Sequence, residues 1–201
     1  MQLLYTRRSP FARKVILSLK EKGLDANVKL TEVDLKDKPP VLLQANPLGK
    51  IPALIISGDH TLVDSPVICA YVDSLDSKTR LIPKSGDKRW RALHIEALAD
   101  GMCEAAIAVF YQRDGGSPNE AIVNKNIAAL ERTLALLETD GFLKPIKAKR
   151  VTLAPIAVAS ALGYIDFRLP DLGWQKKYKK LARWYRKFAE RPSMQATMPK
   201  A

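Results

Sequence analysis

The 201-residue chain reads as an α+β protein, with a small mixed domain of strands and helices over residues 1–75, a linker over 76–86 and an all-helical domain over 87–201. Three observations carry this reading. Short alternating or β-branched segments interleave with helical periodicity only in the first third of the chain. The stretch Asp76-Ser77-Lys78-Thr79-Arg80-Leu81-Ile82-Pro83-Lys84-Ser85-Gly86 is polar and punctuated by proline and glycine, the composition of a boundary. Beyond it, apolar residues recur at helical spacing to the end.

Gln2-Leu3-Leu4-Tyr5 is the first strand. A helix follows from Pro10 to about Lys22. Ser9 is a favoured N-cap, Pro10 fits the first helical position because its missing N–H would be unpaired there, and Ala12, Val15, Ile16 and Leu19 form one stripe. Gly23 ends the helix. Val28 to Val33 alternates as a second strand, and the strand-helix-strand order implies a parallel pair. A short helical segment from Pro40 to Gln44 leads to Asn46-Pro47-Leu48-Gly49-Lys50-Ile51-Pro52, a loop running into the strand Ala53 to Ile56. Pro52 removes a ladder donor and belongs at a strand's start. It also holds Ile51 extended, leaving the Ile51 N–H and C=O to pair with something other than the sheet. Ser57-Gly58-Asp59 turns the chain into His60 to Val63, and Asp64-Ser65-Pro66 opens a helix to about Leu75, repeating the serine-then-proline start.

The second domain begins with a long helix from Asp87 to about Arg113, stopped by Gly115-Gly116. Pro118 to about Thr139 is the next, with Ile122, Ile127, Leu130, Leu134 and Leu137 inward. Thr152 caps a third, to about Phe167. A basic helix from Gln175 to Ala189 sets Tyr178, Leu181, Trp184, Tyr185 and Phe188 on one face and Lys176, Lys177, Lys179, Lys180, Arg183, Arg186 and Lys187 on the others.

A strand, then Ser9-Pro10-Phe11-Ala12-Arg13-Lys14-Val15, then Asn46-Pro47-Leu48-Gly49-Lys50-Ile51-Pro52-Ala53-Leu54, then Asp64-Ser65-Pro66, in this order and at this spacing, resembles the glutathione transferase superfamily. The resemblance covers nearly the whole chain and is strongest to small bacterial members with a serine at the first helix. It implies a thioredoxin-like first domain, glutathione as cosubstrate, no prosthetic group and a cis Ile51–Pro52 bond. Ser9 becomes the catalytic residue, its hydroxyl donating to the glutathione thiolate at a helix N-terminus that favours anions. The Ile51 backbone pairs with the cysteinyl part of the tripeptide, Ser65 holds the γ-glutamyl carboxylate, and Asp64 accepts from its ammonium. Lys50, competing with Lys36 and Lys38, reaches the glycine carboxylate. An apolar electrophile would meet Phe11, Met102, Phe110 and Tyr164, and the family implies a homodimer. The chain departs from the pattern at Thr152-Leu153-Ala154-Pro155, where the acidic residue that completes a capping box is missing.

Composition narrows the alternatives. The net charge is +12, yet residues 1–75 hold 10 Lys and Arg against 8 Asp and Glu, whereas residues 174–201 hold 9 against 1. No helix-turn-helix, finger or base-stacking motif accompanies this charge, so a solvated basic face is expected and nucleic acid is not. Cys69 and Cys103 lie 34 positions apart, matching neither a redox pair nor a zinc site, and His60 and His94 are isolated, so no metal is expected. They read as buried thiols of a cytoplasmic protein, and no apolar run reaches membrane-spanning length. Tyr5 reads as core or interface, and Asp100 as facing the cleft, a partner or solvent. Two other functions stay open: a glutathione-dependent disulfide reductase, which would want a cysteine where Ser9 stands, and a non-catalytic glutathione-binding module that engages a partner through the basic C-terminal helices.

Overall fold

The structure is a computed structural model that describes residues 1–76, 79–147 and 151–199. Strands β1 (Gln2–Tyr5), β2 (Lys29–Glu32), β3 (Ala53–Ser57) and β4 (His60–Leu62) form one sheet in the order β2-β1-β3-β4. β1 and β2 are parallel, as the intervening helix α1 (Pro10–Lys22) requires, and β3 runs antiparallel to both β1 and β4. In register, Leu4 pairs with Ala53 and Leu54 with Leu62. The C-terminal ends of β1 and β4 and the N-terminal end of β3 therefore lie at one end of the sheet. Both the serine-proline segments and the proline loop leave the sheet there.

Helices α2 (Pro40–Ala45) and α3 (Ser65–Ser74) complete this domain, and a four-stranded sheet followed by a helical domain is the observed architecture. The Ile51–Pro52 bond is cis, as expected, and so is Val63–Asp64. α1 ends on Gly23 at φ 68°, where a side chain would be strained, and the Gly23 N–H donates to the Leu19 and Lys20 carbonyls.

The second domain packs α4 (Gly86–Asp114) against α5 (Glu120–Glu138) and α7 (Leu153–Arg168). α7 is buried along nearly its whole length and also lies against α1, so the core runs across both domains. Several expectations change here. Ile122 is exposed, and Val123 joins Leu130, Leu134 and Leu137 inside instead, because 123, 130, 134 and 137 make the continuous stripe. A helix that periodicity did not reveal, α6 (Asp140–Ile146), directly follows α5. The basic helix is broken into α8 (Trp174–Lys177) and α9 (Lys179–Ala189) at Tyr178, whose ring is buried and whose hydroxyl donates to the Glu131 carbonyl. A last turn, α10 (Pro192–Gln195), folds back on α1. The seven basic side chains from Lys176 to Lys187 are exposed over buried Leu181, Trp184 and Phe188, as the spacing implies.

Thr152 stands at the N-cap of α7, but its side chain makes no capping bond. A cap oxygen accepts from the second or third helical N–H, and the third here is Pro155, which has none. The first N–H is satisfied from outside: Leu153 donates to the Leu81 carbonyl at 2.9 Å. The segment containing Leu81 is itself tied down, since the Asp73 carboxylate accepts from the Leu81 and Ile82 N–H groups. The buried Lys22 ammonium donates to the carbonyls of Asp73, Asp76 and Thr79 at 3.1, 2.8 and 2.6 Å.

Candidate functional site

Three chain segments converge at the end of the sheet where β1 and β4 finish and β3 begins. The first is the start of α1. Ser9 is extended at φ −80° and ψ 122°, and its Oγ accepts from the Ala12 N–H at 3.1 Å. Pro10 has no N–H to offer. The hydroxyl hydrogen of Ser9 and the N–H of Phe11 have no acceptor among the described residues. Two donors thus remain at the positive end of a thirteen-residue helix, an arrangement that stabilises an anion.

The second is the proline loop, whose organiser is Asn46, a residue whose role the sequence reading did not single out. Its buried side chain accepts from the Leu48 N–H at 3.0 Å and donates to the Lys50 carbonyl at 2.8 Å, while its backbone carbonyl accepts from Gly49 at 2.8 Å. An asparagine before Pro-x-Gly is the available signal for such a turn. Gly49 sits at φ 62°, with Lys38 lying over it. Neither the N–H nor the C=O of half-buried Ile51 has a partner among the described residues. Lys50, next to it in the chain, is exposed, and so are Lys36 and Lys38.

The third is the start of α3, where the expected capping is corrected. Asp64, not Ser65, is the N-cap, and its carboxylate accepts from the Ser65 N–H. Ser65 is the first helical residue, fully buried, and its Oγ has no hydrogen-bond partner among the described residues. An unmatched hydroxyl of this kind is costly unless something else completes it.

Behind the site a buried ion cluster joins the two domains. Lys14, 1% exposed on α1, donates to Glu96 at 2.9 Å and to both Asp100 oxygens at 2.8 and 2.6 Å on α4. Burial pushes the Asp100 carboxyl up to about 6, with Lys14 opposing and Glu96 adding repulsion. Burial would lower Lys14, but its neighbours hold it above its ordinary value. Cys69 is among those neighbours, yet burial pushes that thiol up to about 12 and keeps it neutral, so the two carboxylates carry the effect. Asp100 thus faces α1 rather than open solvent.

Tyr5 is half-buried against the core. The four residues proposed to meet an electrophile divide. Phe11 is half-buried against the core, Met102 is buried and lines a groove between α4 and α5 with Leu130, and Phe110 lines a separate cleft with Arg168. Tyr164 is buried close to Arg168. Arg168, which the sequence reading did not select, has its guanidinium 4.1 Å from the Phe110 ring centroid and 4.3 Å from that of Phe167. Among the described residues no group of histidine, cysteine and acidic side chains has the arrangement of a metal site, and no helix is long and apolar enough to cross a membrane.

The chain is similar to known proteins along its whole length. Residues 8–75 match the family model for the glutathione S-transferase N-terminal domain, and residues 120–187 match that for the C-terminal domain. The uncharacterized GST-like protein YibF of Escherichia coli (strain K12) is 31% identical over 204 residues, covering 99% of this chain and 98% of that one. A glutathione transferase family member from Pseudomonas fluorescens Pf-5, solved with bound glutathione, is 39% identical and superposes with a TM-score of 0.92 over 100% of this chain and 99% of that one. A family member from the same organism, solved with bound S-(propanoic acid)-glutathione, gives a TM-score of 0.89 at 39% identity, covering 100% of both chains. With both domains matched in order and the whole length aligned, the chain belongs to the glutathione transferase superfamily.

Proposed function

We propose that the protein is a glutathione transferase that binds glutathione at the sheet end described above and adds its thiolate to a small electrophile. The observation that carries this reading is the set of uncommitted polar groups at that one end: the Ser9 hydroxyl and Phe11 N–H, the Ile51 backbone and the Ser65 hydroxyl. An extended tripeptide with a central thiol and a γ-glutamyl carboxylate supplies partners for all of them. The bound glutathione and the bound thioether in relatives 39% identical support it.

In this reading the Ile51 N–H and C=O pair with the cysteinyl residue and Ser65 holds the γ-glutamyl carboxylate. Asp64 accepts from the ammonium, and Lys50 meets the glycine carboxylate. The thiol lies at the start of α1, where the Ser9 O–H, the Phe11 N–H and the helix dipole favour its anion. The thiol's proton passes to solvent, and the thiolate's electron pair forms the new carbon–sulfur bond as the electrophile's leaving group departs with its own pair or, at an unsaturated carbon, as the π pair shifts to the neighbouring carbon, which takes a proton from solvent. Catalysis consists of thiolate stabilisation and proximity. Both cysteines are buried and pushed upward by burial, which favours conjugation over disulfide reduction. Buried free thiols also fit a cytoplasmic protein.

A two-fold homodimer belongs to the same reading. It is supported by Leu48, 71% exposed, and Val67 on the first domain, and by the apolar groove of about 200 Å³ between α4 and α5 on the second. Sedimentation at micromolar concentration checks it.

The functional test is Ser9→Ala. A hydrogen bond to a charged group is worth ~1.5–3 kcal/mol, so conjugation of chlorodinitrobenzene should slow roughly tenfold to 150-fold, the bound thiol's pKa should rise, and glutathione affinity should change little. Coincident thiolate titrations with equal turnover in the two proteins would remove Ser9 from catalysis. No thermal stabilisation by millimolar glutathione would remove the reading itself.

A further inference from the structure

The cleft between the C-terminal ends of α4 and α7 is built around an arginine that has no counter-ion among the described residues. It encloses about 260 Å³ and is lined by Phe110, Arg113, Asp114, Arg168 and Leu169. The Arg168 guanidinium is held over the Phe110 and Phe167 rings, a geometry that fixes the plane of the group and leaves its in-plane N–H donors to other partners. Its Nε is buried and has no hydrogen-bond partner among the described residues.

The acids that could neutralise it are engaged elsewhere or stand apart. Arg113 donates to Asp171 at 2.8 Å. Asp166 accepts from Trp174 Nε1 at 2.7 Å and from Gln175 Nε2 at 3.0 Å. Asp114, the one acid in the lining, is exposed and makes no hydrogen bond or ion pair among the described residues. Tyr164, one helical turn before Arg168, is its polar neighbour, but burial pushes the hydroxyl up to about 12 against the pull of the arginine, so it stays a neutral phenol and supplies no counter-charge.

We propose that this cleft is the subsite for the carboxylate of the second substrate, and that the electrophile is therefore a small aromatic or unsaturated carboxylic acid. A planar carboxylate matches the guanidinium fork, which offers two parallel donors, and the flanking rings accept the flat apolar remainder of such a molecule. The volume is below the roughly 300–1,000 Å³ of a whole ligand pocket, as suits a subsite that receives one group while the reacting carbon lies toward the thiolate. The inference rests on the transferase reading and narrows its substrate class from an apolar electrophile to an anionic one. Asp114 is the competing group, and the ligand's carboxylate must be preferred over it.

The test is the ratio of kcat/KM for chlorodinitrobenzoate to that for chlorodinitrobenzene, which differ by the carboxylate. Comparing one ratio across variants cancels their intrinsic reactivities. Arg168→Gln should lower the ratio roughly tenfold, Arg168→Lys should recover part of it, and Asp114→Asn should raise it several-fold. Ratios that stay the same in all three variants, with only the melting temperature falling for those at Arg168, would show that the arginine merely packs on its rings and would overturn the proposal. Calorimetry with benzoate on the glutathione-loaded protein keeps the inference separate from the reading beneath it. Should neither chloride be conjugated by the wild type, benzoate binding that Arg168→Gln abolishes still upholds the subsite, and absence of such binding refutes it.

Discussion

Replacing Lys14 by methionine removes the cation of the buried cluster while keeping most of its packing volume. The Nζ atom lies 2.9 Å from Glu96 and 2.6 Å from Asp100, and Glu96 is 3% exposed, so the variant strands two carboxylates where water cannot reach one of them. Breaking a buried pair in this way costs about 3–5 kcal/mol. For a chain of this length a kilocalorie is worth about 2–4 °C, so the melting temperature should fall by about 6–20 °C. Adding Glu96→Gln and Asp100→Asn removes the stranded charges and should restore most of the loss, because the desolvation cost disappears with them. The effect must also depend on pH. Asp100 has a folded pKa of about 6 against an ordinary 3.8, so the folded state binds this proton more readily than the unfolded one. Its contribution to stability is therefore fully present below 3.8 and lost as the pH rises through 6. The Lys14→Met penalty should accordingly shrink in urea unfolding at about pH 5 relative to about pH 7.5. A penalty below about 1 kcal/mol, or one that grows on acidification, would refute the claim that Lys14 neutralises both carboxylates.

Three further outcomes follow from packing and hydrogen bonding. Gly163→Ala places a Cβ on top of Arg13 Nη1 and 2.9 Å from the Tyr185 oxygen, so despite alanine's better helix propensity it should destabilise by about 1–2 kcal/mol in urea unfolding; a stabilised variant would show that Arg13 swings aside freely. Asn46→Ala removes the Leu48 and Lys50 bonds of the proline loop, and calorimetry should find glutathione bound at least several-fold more weakly while the far-ultraviolet spectrum is unchanged. Ser65→Ala deletes a buried hydroxyl that nothing among the described residues satisfies, so the ligand-free protein should gain stability or hold it, whereas glutathione should protect it less against heat than it protects the wild type.

How far the sequence carried the reading depends on where each element's determinants lie. α1 was legible to the residue at both ends because Ser9-Pro10 and Gly23 act locally, and Pro52 marked the start of β3 for the same reason. The break at Tyr178 was not legible, since apolar spacing continues through it and its cause is a contact with Glu131, 47 positions away. Asp64 displaced Ser65 as the cap because either residue type can fill that place and only backbone geometry decides between them. The Lys14 cluster left one trace, two acids four apart on an otherwise apolar face of α4, but a lysine on α1 gives no sign that it turns inward. Arg168 was hidden similarly: its meaning comes from Phe110, which reaches it from another helix.

The stitching around Lys22 bears on how turnover can proceed. One ammonium gathers the carbonyls of Asp73, Asp76 and Thr79 from the end of α3 into the crossing, Asp73 clamps the N–H groups of Leu81 and Ile82, and Leu81 in turn completes the start of α7. A hinge needs a few residues free to change their backbone angles, and here both flanks of the crossing are committed to bonds that hinging would break. Substrate entry and product escape should then proceed by loop and side-chain motion over a fixed two-lobed frame, with no opening and closing of the lobes. Hydrogen exchange at Leu81 and Leu153 should be as slow in the ligand-free protein as with glutathione bound, and divergence in substrate choice along this scaffold would have to be written in cleft side chains, because the angle between the lobes is not available to selection as a variable.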